Sequence, residues 1–527
     1  MVVVEYLYED MRKLVDLPLE KMIDSLNFLG APSEYEPEVK KIISELTPNR
    51  PDWYSMEGLA RSLRAYHGGA ISTYSVKKSK YRVVVEPSVA DIRPYTVCAV
   101  VKGLQFNDQR IRDTVLLQEK LLATLGRRVK KFGLGIYPLH AITFPVRYAT
   151  MRPEEIRYVP LGHEREMTAA EIIKEHKKGQ EYGHLISRHD RYPVFVDANN
   201  RVMALIPIVN SAETGRVDET TEDLFMEVTG TDMNACKAAL NILACTFADM
   251  GGIVHSVEVD YGHEKLVTPV LKPKAMKLEL GKINKILGLE LTEQETAALL
   301  ARMGYAYKAK KVLVPPYRAD VLGWVDVMED VAIAYGYDNF KPTLPDFFTP
   351  GRIDKKYDHL DAVMRGMGFL ETKTFTLTNR EKLATIGYIG ELVEIMNPKT
   401  AEYTVVRPTL LADMLDVLAI NKTRGLPQKF YEIGIAHDGK REKKMFAFAV
   451  MDRKVEFSDV RGYLQTIASE GEFSFELTKK EARIFDPEIS CAIMMNGKEN
   501  GVLGKVSKET MGCFGFGFEA YVCCFEV

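Results

Sequence analysis

Cysteine pairs at metal or redox spacing are missing from this sequence. Its seven cysteines, Cys98, Cys236, Cys245, Cys491, Cys513, Cys523 and Cys524, are odd in number, scattered and without CxxC spacing. That argues against a zinc ribbon or a disulfide framework and points to buried free thiols in a reducing cytoplasm. The ten histidines likewise form no ligand pair at helical spacing. No apolar run is long enough to span a bilayer, so no membrane partner is expected. The start, MVVVEYLYEDMRKLVDL, takes on charge at once and does not read as a signal peptide. An excess of one charge is missing too. Lys plus Arg total 70 and Asp plus Glu total 73, a net charge of −3. Such a balance gives no global pull toward nucleic acid, and leaves binding through local basic patches open. There is no short internal repeat and no low-complexity linker.

What is present is length and mixed patterning. The chain has 527 residues, 46% of them apolar and 27% charged, enough for three or four domains with ordinary cores. Residues 1–75 read as a small α/β unit. Within it, YEDMRKLVDLPLEKMIDSLNFLG has helical periodicity and stops on Gly30. Farther on, Ser55 opens a helix with the stripe Leu59, Leu63 and Tyr66. Residues 80–269 alternate Val/Ile-rich strands, such as YTVCAVVKGL and LFMEVTGT, with helices such as DMNACKAALNILACTFADMGG. DANN reads as a hairpin turn. Residues 270–345 suggest two helices, a short strand KVLVPP and a further acidic helix. The second of those helices starts with a capping box from Thr292 to Glu295. KPTLPDFFTPGR reads as a linker. Residues 352–527 are α+β again, with a broad antiparallel sheet expected.

Four acids stand out in the third segment. Asp326, Glu329 and Asp330 fall at i, i+3 and i+4, on one helix face. Asp320 precedes them, and a turn at Gly323 can bring it alongside. Converging carboxylates repel unless a cation or arginines lie among them, and oxygen donors suit a hard divalent ion. Acids in a first helical turn also interact well with the helix dipole, and a charged face is often merely solvated. Spacing leaves both readings open.

NRPDWYSMEGLAR, MEVTGTD, PPYRADV with DVMEDVAIAYGYDN, and MNPKTAEYTVVRPTLL with FYEIG occur in the same order as in the β subunit of phenylalanine–tRNA ligase, archaeal and eukaryotic type. The resemblance covers nearly the whole chain. It implies an α+β multidomain protein. After the N-terminal unit would come a tRNA-editing domain, a small helical domain of winged type, and a noncatalytic, degenerate class II synthetase-like domain with an antiparallel sheet. It implies an aminoacyl-tRNA synthetase subunit in a tetramer of two α and two β chains. The complex would use ATP and tRNA(Phe), with the aminoacylating site on the α subunit. The positions of a magnesium ion shared with the α chain map to Asp320, Asp326, Glu329 and Asp330.

The editing reaction hydrolyses tyrosine wrongly attached to tRNA(Phe). A pocket that hydrogen-bonds the tyrosine hydroxyl rejects phenylalanine, because its polar groups would go unpaired. Around the family's editing motifs, Leu205 can form a wall, Ser211 a hydroxyl contact, Glu227 an acceptor for the tyrosine hydroxyl, and Thr229 a water-orienting group. Strand alternation puts Glu227 and Thr229 on one face. Ser211 also fits a turn, and Asp232 a helix cap. GIYPLHAI departs from the family pattern, and His140 there reads as structural.

In the last domain, Arg407 of VVRPTLL lacks the second arginine motif that binding ATP phosphates would need. GCFGFGFEAYV is glycine-rich but carries no arginine. Arg407 is therefore expected to be structural or interfacial. Arg50 and Asp52 are expected to form an interdomain ion pair. The alternative to an editing subunit is a noncatalytic assembly and tRNA-binding scaffold of the same complex. A lone nucleic-acid-binding protein built on the small helical domain fits the near-neutral charge poorly.

Overall fold

The structure is a computed structural model that describes residues 2–345, 347–351 and 357–527. Asp346 and Arg352 of the expected linker lie outside the described residues, as do residues 353–356 of the expected last domain. The chain divides into two compact units, Met1–Leu344 and Pro345–Val527.

The first unit starts with a three-stranded antiparallel sheet in which Lys41–Leu46 lies between Val2–Leu7 and Ser33–Glu36. The periodic stretch after the first strand forms two helices, Tyr8–Leu14 and Leu19–Phe28, rather than one. Pro18 falls between them and serves as N-cap of the second, where its missing N–H costs nothing. That helix stops at Gly30, which has φ +86, while the Ala31 N–H bonds the Leu26 carbonyl at 2.9 Å.

NRPDWYSMEGLAR folds into a 3₁₀ turn, Pro51–Trp53, and the helix Met56–Tyr66, N-capped by Ser55 through the Gly58 N–H. Arg50 and Asp52 do pair, at 2.9 Å through both carboxylate oxygens, but not between domains. They stand two residues apart and close a buried local fork, stacked on Trp53. The sequence is tight here: a Cβ on Gly58 would lie 1.7 Å from the Asp52 carbonyl oxygen. The longer tie comes from Arg61, which bonds Asp249 at 2.5 Å and stacks on Tyr317 at 3.8 Å. One arginine thus joins three distant stretches of the chain.

The main sheet of this unit has ten strands. Its path runs Val209–Asn210, Val202–Leu205, Tyr192–Val196, Val146–Met151, Arg82–Val85, Ile253–Asp260, Tyr95–Lys102, Leu224–Gly230 and Phe132–Pro138, with Lys265–Thr268 added beside Ile253–Asp260. Arg82–Val85 is parallel to both neighbours, and the other pairings are antiparallel. DANN makes the predicted turn, with Asn200 left-handed at φ +60. Two residue sets alternate through the three strands at one end. Val97, Ala99, Leu134, Ile136, Met226 and Val228 share a core with the helix Met233–Asp249. Ten of that helix's residues are buried, and its larger apolar side chains contribute about 1.5–3 kcal/mol each. The opposite set includes Cys98, Tyr137 and Phe225, in a separate core with Tyr148 and Phe195.

Beyond it, Lys274–Lys277, Lys311–Val314 and Ala306–Lys308 form a three-stranded sheet, where the sequence showed a single strand. The two outer strands are short and charged, which hides their pattern. The helices Leu280–Leu287, Glu293–Arg302 and Trp324–Tyr335 accompany it, and the Thr292–Glu295 capping box is formed.

The second unit is built on a seven-stranded sheet in the order Leu370–Glu371, Gln428–His437, Glu442–Asp452, Glu519–Glu526, Lys498–Val506, Phe485–Met495 and Glu476–Lys479. Only the short first strand is parallel to its neighbour. All seven cysteines are free, and five are buried; Cys491 is half-buried and Cys513 is exposed. Among the described residues no helix is long and apolar enough to cross a membrane.

Candidate functional site

Glu227 and Thr229 lie on one face of the strand Leu224–Gly230, paired with Cys98 and Thr96 on one side and with Gly135 and Gly133 on the other. Both are buried. Oε1 of Glu227 accepts the Tyr137 hydroxyl at 3.4 Å. Oε2 of Glu227 and Oγ1 of Thr229 make no hydrogen bond of normal geometry. Buried polar atoms without partners are costly, about 1–3 kcal/mol each, and mark a strained or ligand-seeking position. Burial pushes the Glu227 carboxyl up to about 8, against the opposing pull of Arg93 and of the Tyr137 and Thr229 hydroxyls. At neutral pH the group is therefore mostly protonated. It can donate one hydrogen bond and still accept another.

The glycines make the space. A Cβ on Gly135 would lie 2.5 Å from Oε1 of Glu227 and 2.6 Å from the Tyr137 hydroxyl. From Tyr137 the polar chain runs outward, because its hydroxyl also meets Oδ1 of Asn210 at 3.2 Å. Asn210 lines a cleft of about 230 Å³ at the sheet edge, walled by Phe106, Leu134, Ile136 and Val217, with Arg216 at its rim.

The other two sequence candidates stand elsewhere. Ser211 is buried, and its hydroxyl accepts the Glu213 N–H at the start of the short helix Ala212–Gly215, the turn role its sequence allowed. Leu205 is fully buried in a separate core with Ile172, Val194 and Ile208, and its N–H meets the Tyr158 hydroxyl at 3.2 Å. Neither side chain joins Glu227. His140 is exposed, and Asp232 caps the helix Met233–Asp249 as its sequence suggested.

The acidic set lies in the same unit. Asp320, Asp326, Glu329 and Asp330 all line one pocket of about 280 Å³, with Asn49, Arg50 and Arg318. Each acid already has work there. Arg318, buried, bonds Asp320 at 2.7–2.8 Å and Asp330 at 2.7 Å. Asp330 also takes the Tyr305 hydroxyl. Asp326 accepts the N–H groups of Leu322 and Gly323, both at 2.8 Å, and so caps its own helix. Glu329 takes the Tyr337 hydroxyl at 2.5 Å. Burial raises the Asp320 carboxyl, but Arg318 and Arg50 more than offset it and hold it below the usual range. Among the described residues no three His, Cys, Asp or Glu side chains form a group that could hold a metal ion. The donors suit a hard cation in kind. Their arrangement does not close around one, since an arginine occupies the space between two of them.

In the second unit Arg407 is buried and fully engaged. It bonds Glu432 at 2.8 Å, Asp413 at 3.1 Å, Thr374 at 2.6 Å and the Ile435 carbonyl at 2.8 Å. All three guanidinium nitrogens are taken.

Similarity to known proteins matches this architecture. The phenylalanine–tRNA ligase beta subunit of Archaeoglobus fulgidus is 36% identical over 541 aligned positions, covering 100% of this chain and 98% of that protein. The chain belongs to the phenylalanine–tRNA ligase beta subunit family. The family member of Thermococcus kodakarensis is 36% identical, covering 91% of this chain and 89% of that protein. Family models described as "Phenylalanyl tRNA synthetase beta chain CLM domain" and "tRNA synthetase B5 domain" match residues 342–527 and 276–337. The crystal structure of an N-terminal fragment of the phenylalanyl-tRNA synthetase β-subunit from Pyrococcus horikoshii is similar, with a TM-score of 0.60 at 34% identity. It covers 63% of this chain and 99% of that fragment.

For a beta-subunit chain, reasoning from sequence missed Tyr137, Asn210 and Gly135. Alternation along GLGIYP does place Gly133, Gly135 and Tyr137 on one face. Nothing local in the sequence says that this face meets Glu227, because the two strands lie about ninety residues apart in the chain.

Proposed function

We propose that this chain serves as the β subunit of a phenylalanyl-tRNA synthetase with two α and two β chains. The α subunit carries out the ATP-dependent attachment of phenylalanine to tRNA(Phe). The β chain hydrolyses tyrosyl-tRNA made in error. The observation that carries the hydrolytic part is the buried pair Oε2 of Glu227 and Oγ1 of Thr229, neither in a hydrogen bond of normal geometry, on one face of one strand. A tyrosine hydroxyl would satisfy Glu227. A water held by Thr229 would attack the ester carbonyl, and the ribose oxygen would leave with a proton. Phenylalanine would leave Glu227 unsatisfied, which is the physical basis of selection.

Magnesium fits this reading only as an ion completed by another chain. Asp326 and Glu329 keep one carboxylate oxygen each outside the hydrogen bonds described. Donors from the α subunit would supply the remainder.

A scaffold that assembles and binds tRNA without editing is the competing reading. The capping role of Ser211 and the separate burial of Leu205 favour it. The test is deacylation of tyrosyl-tRNA(Phe) by the purified α–β complex. Editing requires measurable hydrolysis that Glu227→Ala with Thr229→Ala removes while the complex still assembles. An intact complex without hydrolysis establishes the scaffold.

A further inference from the structure

The turn at 126–131, GRRVKK, is held in an unusual shape. Arg127, Arg128 and Val129 all have left-handed backbones, with φ of 48°, 52° and 64°. For a β-branched valine that conformation is costly, so the surroundings must impose it. They come from the preceding helix, whose Ala123 and Leu122 carbonyls accept the Arg128 and Val129 N–H groups at 3.3 and 3.2 Å, and from the end of the strand that carries Glu227. The Thr231 N–H bonds the Lys131 carbonyl at 2.9 Å, and the Thr231 hydroxyl bonds the Lys130 carbonyl at 3.1 Å. Lys131 reaches Asp232 at 2.8 Å. Beneath the turn, buried Arg93 donates to the Val129 carbonyl at 3.2 Å and to the Thr229 carbonyl at 3.0 Å. Gly230 passes so close that a Cβ would lie 2.1 Å from the Lys131 carbonyl oxygen. The TGTD half of the MEVTGTD motif thus fastens this turn.

The outcome of that fastening is a set of free cations. Arg127, Arg128 and Lys130 are exposed. Unlike Lys131, none of the three pairs with a carboxylate among the described residues. Cations just past the end of the helix Asp108–Ala123 also offset its dipole. That effect needs neither the left-handed run nor Arg93.

We propose that this turn docks the phosphate backbone of the tRNA near its 3′ end. The proposal rests on the editing reading above and extends it. Thr231 lies four residues beyond Glu227, ~13 Å along an extended strand. A few nucleotides span that length at ~3.4 Å or more each. Arginines and lysines fixed on a rigid turn neutralise phosphates without reading bases, which suits a single-stranded end.

The test uses the assembled α–β complex carrying Arg127→Ala, Arg128→Ala and Lys130→Ala together. For deacylation of tyrosyl-tRNA(Phe), KM should rise ~10-fold or more, with a much smaller change in kcat. The log-log salt dependence of uncharged tRNA binding should flatten by ~2, at about 0.7 per lost single-strand phosphate contact. Arg127→Lys with Arg128→Lys, which keeps all three charges, should keep most of the binding. Assembly and melting temperature serve as checks on folding. An unchanged salt slope in a folded, assembled complex overturns the proposal, whether or not the complex edits. Absence of deacylation in the unsubstituted complex overturns the editing reading instead, and the salt slope then still decides the docking site.

Discussion

The Tyr137 hydroxyl meets Oε1 of Glu227 at 3.4 Å, in a core where that carboxyl is pushed up to about 8. The unfolded chain would release the proton near 4.5. The folded state therefore binds the extra proton between those values, and its stability falls as pH rises through that window. Below the window the contribution is complete. Glu227→Gln keeps the shape and removes the titration. Denaturant titrations at pH 5, 7 and 9 should show the variant gaining on the unsubstituted chain as pH rises, by up to roughly 4 kcal/mol at the alkaline end. Parallel curves would mean that Glu227 is already ionised in the fold.

Tyr137→Phe isolates the relay from that carboxyl toward the cleft. The ring remains, so the packing survives. Asn210 Oδ1 and Glu227 Oε1 lose their shared donor, at a cost of about 1–3 kcal/mol. In the α–β complex, deacylation should weaken while assembly stays intact, read as initial rates on tyrosyl-tRNA(Phe). Equal rates would remove Tyr137 from the site.

Elements written in short-range pattern were legible in the sequence, and meetings between distant strands were not. The capping box at Thr292, the left-handed stop at Gly30 and the shared face of Glu227 and Thr229 follow from spacing alone. Pairing of Arg50 with Asp52 could be anticipated, but not that a two-residue separation would let the fork close locally. The two extra strands beside Lys311–Val314 carry lysines instead of an apolar alternation, so they gave no signal. The acidic set shows the same limit. Spacing put the acids together, while the arginine lying between Asp320 and Asp330 came from the residue just ahead of them, Arg318.

Magnesium supplies a sharp test, because the described acids do not form a ligand group by themselves. The purified chain alone should melt at the same temperature with magnesium or with chelator. The α–β complex should lose several degrees on chelation if a partner completes the site. Asp326→Asn with Glu329→Gln should abolish that difference. A magnesium-dependent melt of the chain alone would show that Arg318 gives way to the ion.

Arg407 tests the silence of the C-terminal unit. A guanidinium that holds ATP phosphates needs free donors, yet every nitrogen of Arg407 is committed to the fold. Arg407→Met strands the buried carboxylates of Glu432 and Asp413, which should cost about 3–5 kcal/mol in a denaturant titration. Adding Glu432→Gln and Asp413→Asn removes the stranded charge, so the triple variant should recover much of the loss. That non-additivity identifies a structural ion network. The same commitment predicts that the chain without a companion forms no phenylalanyl-adenylate. Adenylate formation by the lone chain, lost on Arg407→Met but kept by a stability-matched variant elsewhere in the unit, would make Arg407 a phosphate ligand and the unit an active enzyme.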